Sequence, residues 1–513
     1  MKIDHKDRKK FVQDVFYLTL GSNYANFLAA VRGIFIRRFI GPTFAGLLAT
    51  LNTIFFFMMF VYRPLQGGVA REIPYFKGIK DPEAVKNLRN GSFTIVFILA
   101  ILLNIGLFIA SFIVPENETG LLRWSLRLWA AVSFFKAIGA FLVVVYRTEK
   151  AFFQVFKFFF LNATLLTVVG IVVTYFYGFR GLIITTLVVQ AISAGYLFKF
   201  GRIRLKFIFN RTLARVMWRL IVRGTPLVIN TIMFLAFRQL DRVMVIGFLG
   251  MTQMGFYSIG NMLCNMIFLI PTSIWQVVAP GFLERGARVK DNPTVLKGEV
   301  FHNTVTIAEI IPPAFTFGAF ALPFLMQYIL PNFEQGILPA QILVLGGFGI
   351  GVYHMFSKLF VITDKMRHLA EISFIMVVAA GVMNMWALSL ETGIIGIAVA
   401  TLASFFLYGM IVILVSGLTI LRCSITELIG LMGKTYFPFL FTVAFFLVAN
   451  HYYFPLNQGF LLDCQRFILG TLLIVISFIP FWIHVNKKTS LITTFAYDMW
   501  EKMVKLYKLI LRK

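Results

Sequence analysis

Apolar runs of about twenty residues recur along the whole chain and constrain its fold more than any other feature. A helix needs about 20 apolar residues to cross a bilayer, and its backbone satisfies its own hydrogen bonds in lipid. Of the residues, 59% are hydrophobic, against roughly 45–50% in soluble domains. We therefore predict an all-α polytopic membrane protein with about fourteen transmembrane helices. The runs cover residues 13–35, 43–65, 92–114, 122–146, 156–177, 180–199, 224–249, 254–279, 303–329, 338–362, 368–389, 394–417, 435–455 and 464–485.

The cations of this chain, which has a formal net charge of +26, are distributed unevenly. With the N-terminus placed in the cytoplasm, segments that hold 36 of the 48 Lys and Arg residues all fall on the cytoplasmic side. This positive-inside pattern predicts a multi-pass protein of the cell inner (cytoplasmic) membrane with both termini cytoplasmic. The charge then indicates topology and attraction to membrane lipids. No nucleic acid is expected as a partner, because no nucleic-acid-binding motif is present.

Basic segments near residues 200–223 and 418–434 divide the chain. We expect two six-helix lobes, two additional transmembrane helices and a cytoplasmic amphipathic tail. The predicted boundaries are 1–215 for the N-terminal lobe, 216–418 for the C-terminal lobe, 419–487 for the additional helices and 488–513 for the tail.

An internal repeat supports two lobes. A shift of 209 residues aligns Gly41 with Gly250 and Asn52 with Asn261, and the next glycines, at 46 and 255, also match. An even number of spans in each repeat predicts a pseudo-two-fold axis along the membrane normal, an arrangement in which transporters bind cargo between the repeats.

Ionisable residues inside spans are costly and are candidates for function. Most of them here are cations, which favours an anionic cargo such as phosphate or pyrophosphate. The candidates for a cationic cavity are Arg32, Arg123, Arg127 and Lys136. The alternative for Arg123, near the external interface, is that its head group reaches the membrane surface.

A second group of charges lies in the seventh span, where Arg238, Asp241 and Arg242 are neighbours. They form either an internal ion pair or a site at which Asp241 binds a coupling ion, Na⁺ or H⁺. Asn384 and Thr401 would then add oxygen ligands, which hard cations prefer.

No enzymatic or cofactor motif stands out. The stretch 433–435 lacks the glycine that a P-loop needs at 428, and the histidines do not cluster as metal ligands. We expect no enzyme, no cofactor and no metal centre, so energy would come from an ion gradient, the membrane potential or the cargo's own gradient.

Several motifs resemble a known family in their order and spacing. They include the turn at 38–42, the stretch 224–226, Asp241-Arg242, and the run 393–401. The chain resembles the bacterial polysaccharide flippases of the Wzx type, which serve O-antigen, capsule and exopolysaccharide synthesis, in the multidrug/oligosaccharidyl-lipid/polysaccharide (MOP) superfamily.

The resemblance implies two six-helix lobes in a V with two extra C-terminal helices, and alternating access through a cationic cavity. It implies polyprenyl-pyrophosphate-linked oligosaccharide as cargo, with a polysaccharide polymerase and chain-length proteins as further partners. Superfamily relatives bind sodium among spans seven, eleven and twelve, which draws attention to Asp241, Asn384 and Thr401. Leu388, one turn after Asn384, departs from that ligand pattern.

Three alternatives remain open. A peptidoglycan lipid precursor flippase has the same span count, but its cluster of Arg and Asp in the first two spans is thin here. A multidrug or toxin cation antiporter would have an acidic cavity and about twelve spans. A membrane-embedded glycosyltransferase or polymerase would need a large external loop, and none is evident.

Overall fold

The computed structural model describes residues 5–116, 120–200, 205–208, 211–289, 292–453 and 459–489. Within these residues the regular structure is helical throughout. The α-helices are α1 His5–Gly78, α2 Pro82–Ile113, α3 Leu122–Thr148, α4 Phe152–Phe200, α5 Arg211–Phe237, α6 Leu240–Met244, α7 Gly250–Ile267, α8 Leu269–Arg288, α9 Lys297–Ile310, α10 Pro312–Tyr328, α11 Ile337–Gly351, α12 His354–Ile362, α13 Met366–Ser389, α14 Gly393–Thr419, α15 Ile425–Tyr453 and α16 Phe460–Thr489. A π-helical turn, Val245–Leu249, joins α6 to α7, and 3₁₀ turns cover Pro293–Leu296 and Pro331–Gly336.

Two of these helices are too long for one membrane crossing. Helix α1 has 74 residues, which would extend roughly 110 Å if straight. It is broken at Gly41, and the 49-residue α4 is broken at Gly178, where the backbone leaves the helical region. Each of these helices therefore supplies two crossings.

The number of crossings agrees with the sequence prediction. Eleven segments of the described chain are long and apolar enough to span a membrane. Two of the eleven count twice because of the breaks at Gly41 and Gly178. Gly250 divides a further segment, so that α5, α6 and the π turn form one crossing and α7 with α8 forms the next. The prediction of about fourteen transmembrane helices is confirmed.

The first compact unit comprises residues 1–262 and 373–389. In it α1 packs along α2, α3, α4 and α5. One apolar core forms where the second half of α1 meets α2 and α3, and its members include Tyr62, Leu65, Val69, Phe93 and Phe141. This core fixes the relative positions of the helices that carry the first group of predicted cations.

The second compact unit comprises residues 263–372 and 390–513. Gly349 of α11 lies against the backbone of α14, where a Cβ atom would stand 2.8 Å from the amide nitrogen of Phe406. Small residues let membrane helices approach this closely. Helix α16 is tied to α10 by the hydroxyl of Tyr328, which donates to the buried carboxylate of Asp463 at 2.5 Å.

The first compact unit includes residues 216–262 and 373–389. The predicted boundaries at 215, 418 and 487 stay a prediction. The predicted amphipathic tail lies outside the described residues from 490 onward.

Candidate cationic site within the membrane spans

Two glycine turns that the 209-residue shift aligns have nearly the same backbone conformation. Gly41 has φ 73° and ψ 177°, and Gly250 has φ 87° and ψ 178°. This region is essentially open to glycine alone. Two residues further on, the hydroxyls of Thr43 and Thr252 lie 3.0 Å apart. The repeat is therefore visible in the backbone, and its two copies meet at equivalent residues.

The contact between the two turns is reciprocal. A Cβ atom on Gly46 would overlap the carbonyl oxygen of Met251, and one on Gly255 would overlap that of Pro42. The residues in the two contacts correspond under the same shift of 209. The absence of both Cβ atoms lets the first two crossings approach α7 to backbone contact.

Lys136 stands at the centre of a group that we call the Lys136 cluster, made of Arg32, Asn52, Phe55, Trp129 and Lys136. Its ammonium donates to the side-chain oxygen of Asn52 at 3.4 Å. It also lies 4.5 Å from the ring centroid of Trp129 and 4.9 Å from that of Phe55. These partners orient a cation without neutralising it.

Arg32 brings a second cation to this cluster. Its guanidinium is close enough to Lys136 for electrostatic repulsion. Its side chain runs past Gly170 of α4, where a Cβ atom would stand 4.0 Å from the Arg32 Cδ. Among the described residues, no carboxylate lies within ion-pair distance of either cation. The structure therefore brings together two of the four predicted cavity residues as an uncompensated pair.

The other two predicted cavity residues make contacts on α2 and the loop after it. Arg127 donates from Nε to the hydroxyl of Ser111 at 3.3 Å and lies 4.3 Å from the ring centroid of Phe112. Arg123 is exposed and donates from Nε to the Val114 carbonyl at 2.9 Å. Lys136 follows Arg127 by nine positions, or about two and a half helical turns, so the two side chains leave opposite faces of α3. Their shared role with Arg32 in one cavity stays a prediction.

The charges of the seventh span form a second group, the Asp241 cluster, whose members are Arg37, Arg238, Asp241, Arg242, Tyr257, Ser258 and Asn261. The Asp241 carboxylate is 3% exposed. It accepts hydrogen bonds from the Tyr257 hydroxyl and the Arg242 backbone N–H, each at 2.8 Å. The guanidiniums of Arg238 and Arg242 also interact with it electrostatically. The helix break between α5 and α6 lies directly before this carboxylate.

Arg37 joins the Asp241 cluster from the first crossing. It donates to the Gly33 carbonyl at 3.1 Å and to the Ser258 hydroxyl at 3.3 Å. Its guanidinium is near enough to that of Arg242 for repulsion. Arg242 in turn donates to the side-chain oxygen of Asn261 at 3.2 Å. In the Asp241 cluster, a cation of the first repeat thus meets Ser258 and Arg242 of the second, next to the buried carboxylate of Asp241.

The two predicted oxygen ligands are both buried. Asn384 lies one helical turn after Gly381. A Cβ atom on Gly381 would stand 3.7 Å from the side chain of Leu240, the residue before Asp241. The side-chain oxygen of Asn384 has no hydrogen-bond partner among the described residues. Thr401 belongs to the second unit. An ion-binding role for these residues stays a prediction.

Sequence reasoning assigned no site role to Asn52, Arg37, Tyr257 or Asn261. The 209-residue alignment of the two asparagines was the available signal, because aligned polar residues inside spans indicate a shared role. Arg37 lacked such a signal, since its neighbour Arg38 makes it look like part of an interfacial basic pair. Only the backbone contact between the repeats brings Arg37 to α7.

The family described as "Polysaccharide biosynthesis protein" matches residues 36–333 of this chain. No curated protein matches this chain at a significant level. Among solved structures, the chain is similar to the lipid II flippase MurJ in an inward closed conformation. That similarity has a TM-score of 0.68 and 12% sequence identity, and it covers 92% of this chain and 99% of MurJ.

Two other solved structures have the same fold. One is an inward-facing multidrug resistance MATE transporter of the MOP superfamily, with a TM-score of 0.59, 16% identity, and coverage of 80% of this chain and 95% of that one. The other is a MOP superfamily transporter from Pyrococcus furiosus whose binding pocket has reversed polarity, with a TM-score of 0.52, 15% identity, and coverage of 81% and 97%. The chain is therefore a multi-pass membrane protein with the MOP-superfamily fold and belongs to the polysaccharide biosynthesis protein family.

Proposed function

We propose that the protein is a flippase that moves polyprenyl-pyrophosphate-linked oligosaccharide from the cytoplasmic to the outer leaflet of the inner membrane by alternating access. Family membership supports a place in polysaccharide synthesis. The observation that carries the proposal is the uncompensated pair of Arg32 and Lys136 inside the membrane spans.

The pair favours an anion for a simple electrostatic reason. Two cations that repel each other inside a membrane raise the energy of the empty site, and their partners Asn52, Phe55 and Trp129 are all neutral. A pyrophosphate would relieve that repulsion. The Arg32 guanidinium would hold its oxygens through two N–H groups, and the Lys136 ammonium would act as a compact charge. In this proposal the sugars occupy the hydrated cavity and the polyprenyl chain stays in lipid.

The membrane potential supplies a driving force for such a cargo. A potential that is negative inside favours outward movement of an anion by about 2.3 kcal/mol per charge per 100 mV. The protein then needs no nucleotide hydrolysis and no catalytic residue. The positive-inside pattern, with both termini in the cytoplasm, supplies the orientation in this proposal.

The Asp241 cluster has a different role in this proposal. Because Asp241 already accepts hydrogen bonds from Tyr257 and Arg242 and is flanked by two guanidiniums, it serves as their internal counter-charge. The alternative hypothesis is that Asp241 couples transport to Na⁺ or H⁺. It is supported by the buried side-chain oxygen of Asn384, which has no hydrogen-bond partner among the described residues. Transport measured with and without a sodium or a proton gradient distinguishes the counter-charge role of Asp241 from the ion-coupling role.

A peptidoglycan lipid precursor is the second candidate cargo, because the fold similarity to a lipid II flippase extends over nearly the full length of both chains. Both cargos carry a polyprenyl pyrophosphate, so the Lys136 cluster suits either one. The distinction between them depends on the sugar.

The test is transport in proteoliposomes that contain the purified protein. Three labelled cargos are compared: a polyprenyl-pyrophosphate oligosaccharide, lipid II and a cationic drug. We expect the oligosaccharide lipid to move, and its movement to fail in Arg32→Gln and Lys136→Gln. Lys434→Gln is the control, because Lys434 is an exposed cation that belongs to neither cluster.

Each other result has a definite meaning. Movement of lipid II alone would reassign the cargo to the peptidoglycan precursor. Movement of the drug alone would contradict an anionic cargo. Full transport in both cluster variants would remove the Lys136 cluster from the cargo site.

A further inference from the structure

A pocket of about 510 Å³ lies where α1 ends, α2 begins and α3 ends. It is distinct from the Lys136 cluster, since its lining residue Glu149 is 13 residues beyond Lys136, or roughly 20 Å along a helix axis. The lining residues are Lys77, Lys80, Asp81, Pro82, Val85, Lys86, Arg89 and Glu149.

The two carboxylates of this pocket are already engaged. Glu149 accepts from the Lys77 ammonium at 2.5 Å and from the Arg89 guanidinium at 3.4 Å. Asp81 caps the N-terminus of α2 by accepting from the Ala84 backbone N–H at 2.9 Å. The four cations exceed the two carboxylates by two charges. The pocket is therefore positively charged after its internal pairing is complete.

The excess positive charge lies on two exposed lysines, beside a partly buried arginine. Lys80 and Lys86 are exposed, and Lys80 has φ 57°, in the left-handed region that disfavours residues with a Cβ atom. The Arg89 Nε is buried and has no hydrogen-bond partner among the described residues. The left-handed conformation of Lys80 ends α1, where the Asp81 N–H donates to the Phe76 carbonyl at 3.0 Å. Two exposed lysines beside a guanidinium with an unused N–H point to an anionic ligand.

The location of the pocket identifies the chemistry of that ligand. Three crossings reach the same membrane surface here, and the charge pattern predicts that this surface is cytoplasmic. Apolar side chains lie exposed beside the cations, with Tyr75 at 55% and Ile79 at 56%. Cations next to exposed apolar side chains at a membrane surface match a lipid phosphate next to its acyl chains. We propose that this pocket binds the phosphate headgroup of an anionic membrane lipid.

The proposal is tested on the full-length protein in neutral detergent, with the melting temperature followed by tryptophan fluorescence. Phosphatidylglycerol, phosphatidylcholine and inorganic pyrophosphate are titrated separately. We expect phosphatidylglycerol to raise the melting temperature saturably by a few degrees. The double variant Lys80→Gln/Lys86→Gln should need at least about tenfold more lipid for the same rise, because it loses two charge-assisted contacts.

Two further variants keep the test independent of folding. Lys434→Gln removes an exposed lysine from the second unit and should respond as the wild type does. Lys80→Gly removes the charge and relieves the strained φ, so it should melt no lower than the wild type without lipid and still bind phosphatidylglycerol more weakly.

Three results would overturn the proposal. The first is an unchanged lipid requirement in the double variant, and the second is an equal response to phosphatidylcholine. The third is a response to pyrophosphate without one to phosphatidylglycerol, which would assign the pocket to a free phosphate compound.

Discussion

The Lys136 cluster and the Asp241 cluster share one pair of aligned residues but differ in electrostatics. In each, an asparagine that the 209-residue shift aligns accepts from a cation: Asn52 from Lys136 at 3.4 Å, and Asn261 from Arg242 at 3.2 Å. Only the second cluster contains a carboxylate, Asp241. Within the described residues, the comparison therefore sets two cations without a carboxylate against three guanidiniums grouped with one buried carboxylate.

The two repeats carry opposite charges at one aligned position. Asp241 aligns with Arg32 under the same shift. A cation in the first copy thus corresponds to a carboxylate in the second. Three predictions test whether this exchange of sign separates a cargo site from an internal ion pair, and another tests the contact between the repeats.

The largest effect is expected from Arg32→Gln. Loss of a charged hydrogen-bonding partner of the pyrophosphate weakens binding by about 1.5–3 kcal/mol, so transport of the lipid-linked oligosaccharide should fall by about tenfold to a hundredfold. The amount of protein in the membrane should not change, because removing one of two repelling cations does not destabilise the fold. Transport in proteoliposomes measures the effect, and wild-type transport in this variant would contradict the assignment.

The second prediction concerns Asp241→Asn. Removal of a buried counter-charge leaves Arg238 and Arg242 uncompensated, which costs about 3–5 kcal/mol and should lower the melting temperature in detergent by several degrees. Asn384→Ala is the matched comparison, since it removes a buried oxygen without removing a charge. An unchanged melting temperature together with loss of sodium-dependent transport would make Asp241 an ion-binding residue instead.

The third prediction separates two reasons for glycine in the turns. Gly41→Ala has open space around its Cβ position but a φ of 73°, so it should destabilise the protein by about 1–3 kcal/mol through backbone strain. Gly255→Ala would force its Cβ atom against the Pro42 carbonyl oxygen. It should therefore separate the two repeats as well as lower stability.

Cross-linking of cysteines introduced in place of Thr43 and Thr252, whose hydroxyls lie 3.0 Å apart, measures that separation. The cross-link should form in the Gly41→Ala background and form poorly in the Gly255→Ala background. Equal cross-linking in both would show that the contact tolerates the added methyl group.

The smallest effect is expected from the aligned asparagines. Asn52→Ala removes one neutral acceptor from Lys136 and should reduce transport only about twofold to tenfold. Asn261→Ala should leave transport closer to the wild type, because Arg242 retains Asp241 as a neighbour. A larger loss in Asn261→Ala than in Asn52→Ala would reverse the assignment of the two clusters.

The fold class and the number of crossings follow from the amino-acid sequence. Apolar length is a sufficient signal in a membrane, because lipid offers the backbone no hydrogen bonds and forces each run into a helix. The sequence also indicated the repeat, since the unusual conformation at Gly41 and Gly250 demands glycine at both positions.

Which cationic side chains lie close together depends on the tertiary structure. Arg123, Arg127 and Lys136 belong to one helix, and the packing of that helix directs Arg127 to α2 and Lys136 to Arg32 and Asn52. The same holds for Arg37, which reaches Ser258 only because two glycines let the repeats touch. Helix periodicity states which residues share a face, but the neighbours of each face depend on contacts between residues that lie 16, 84 or 221 positions apart in the chain.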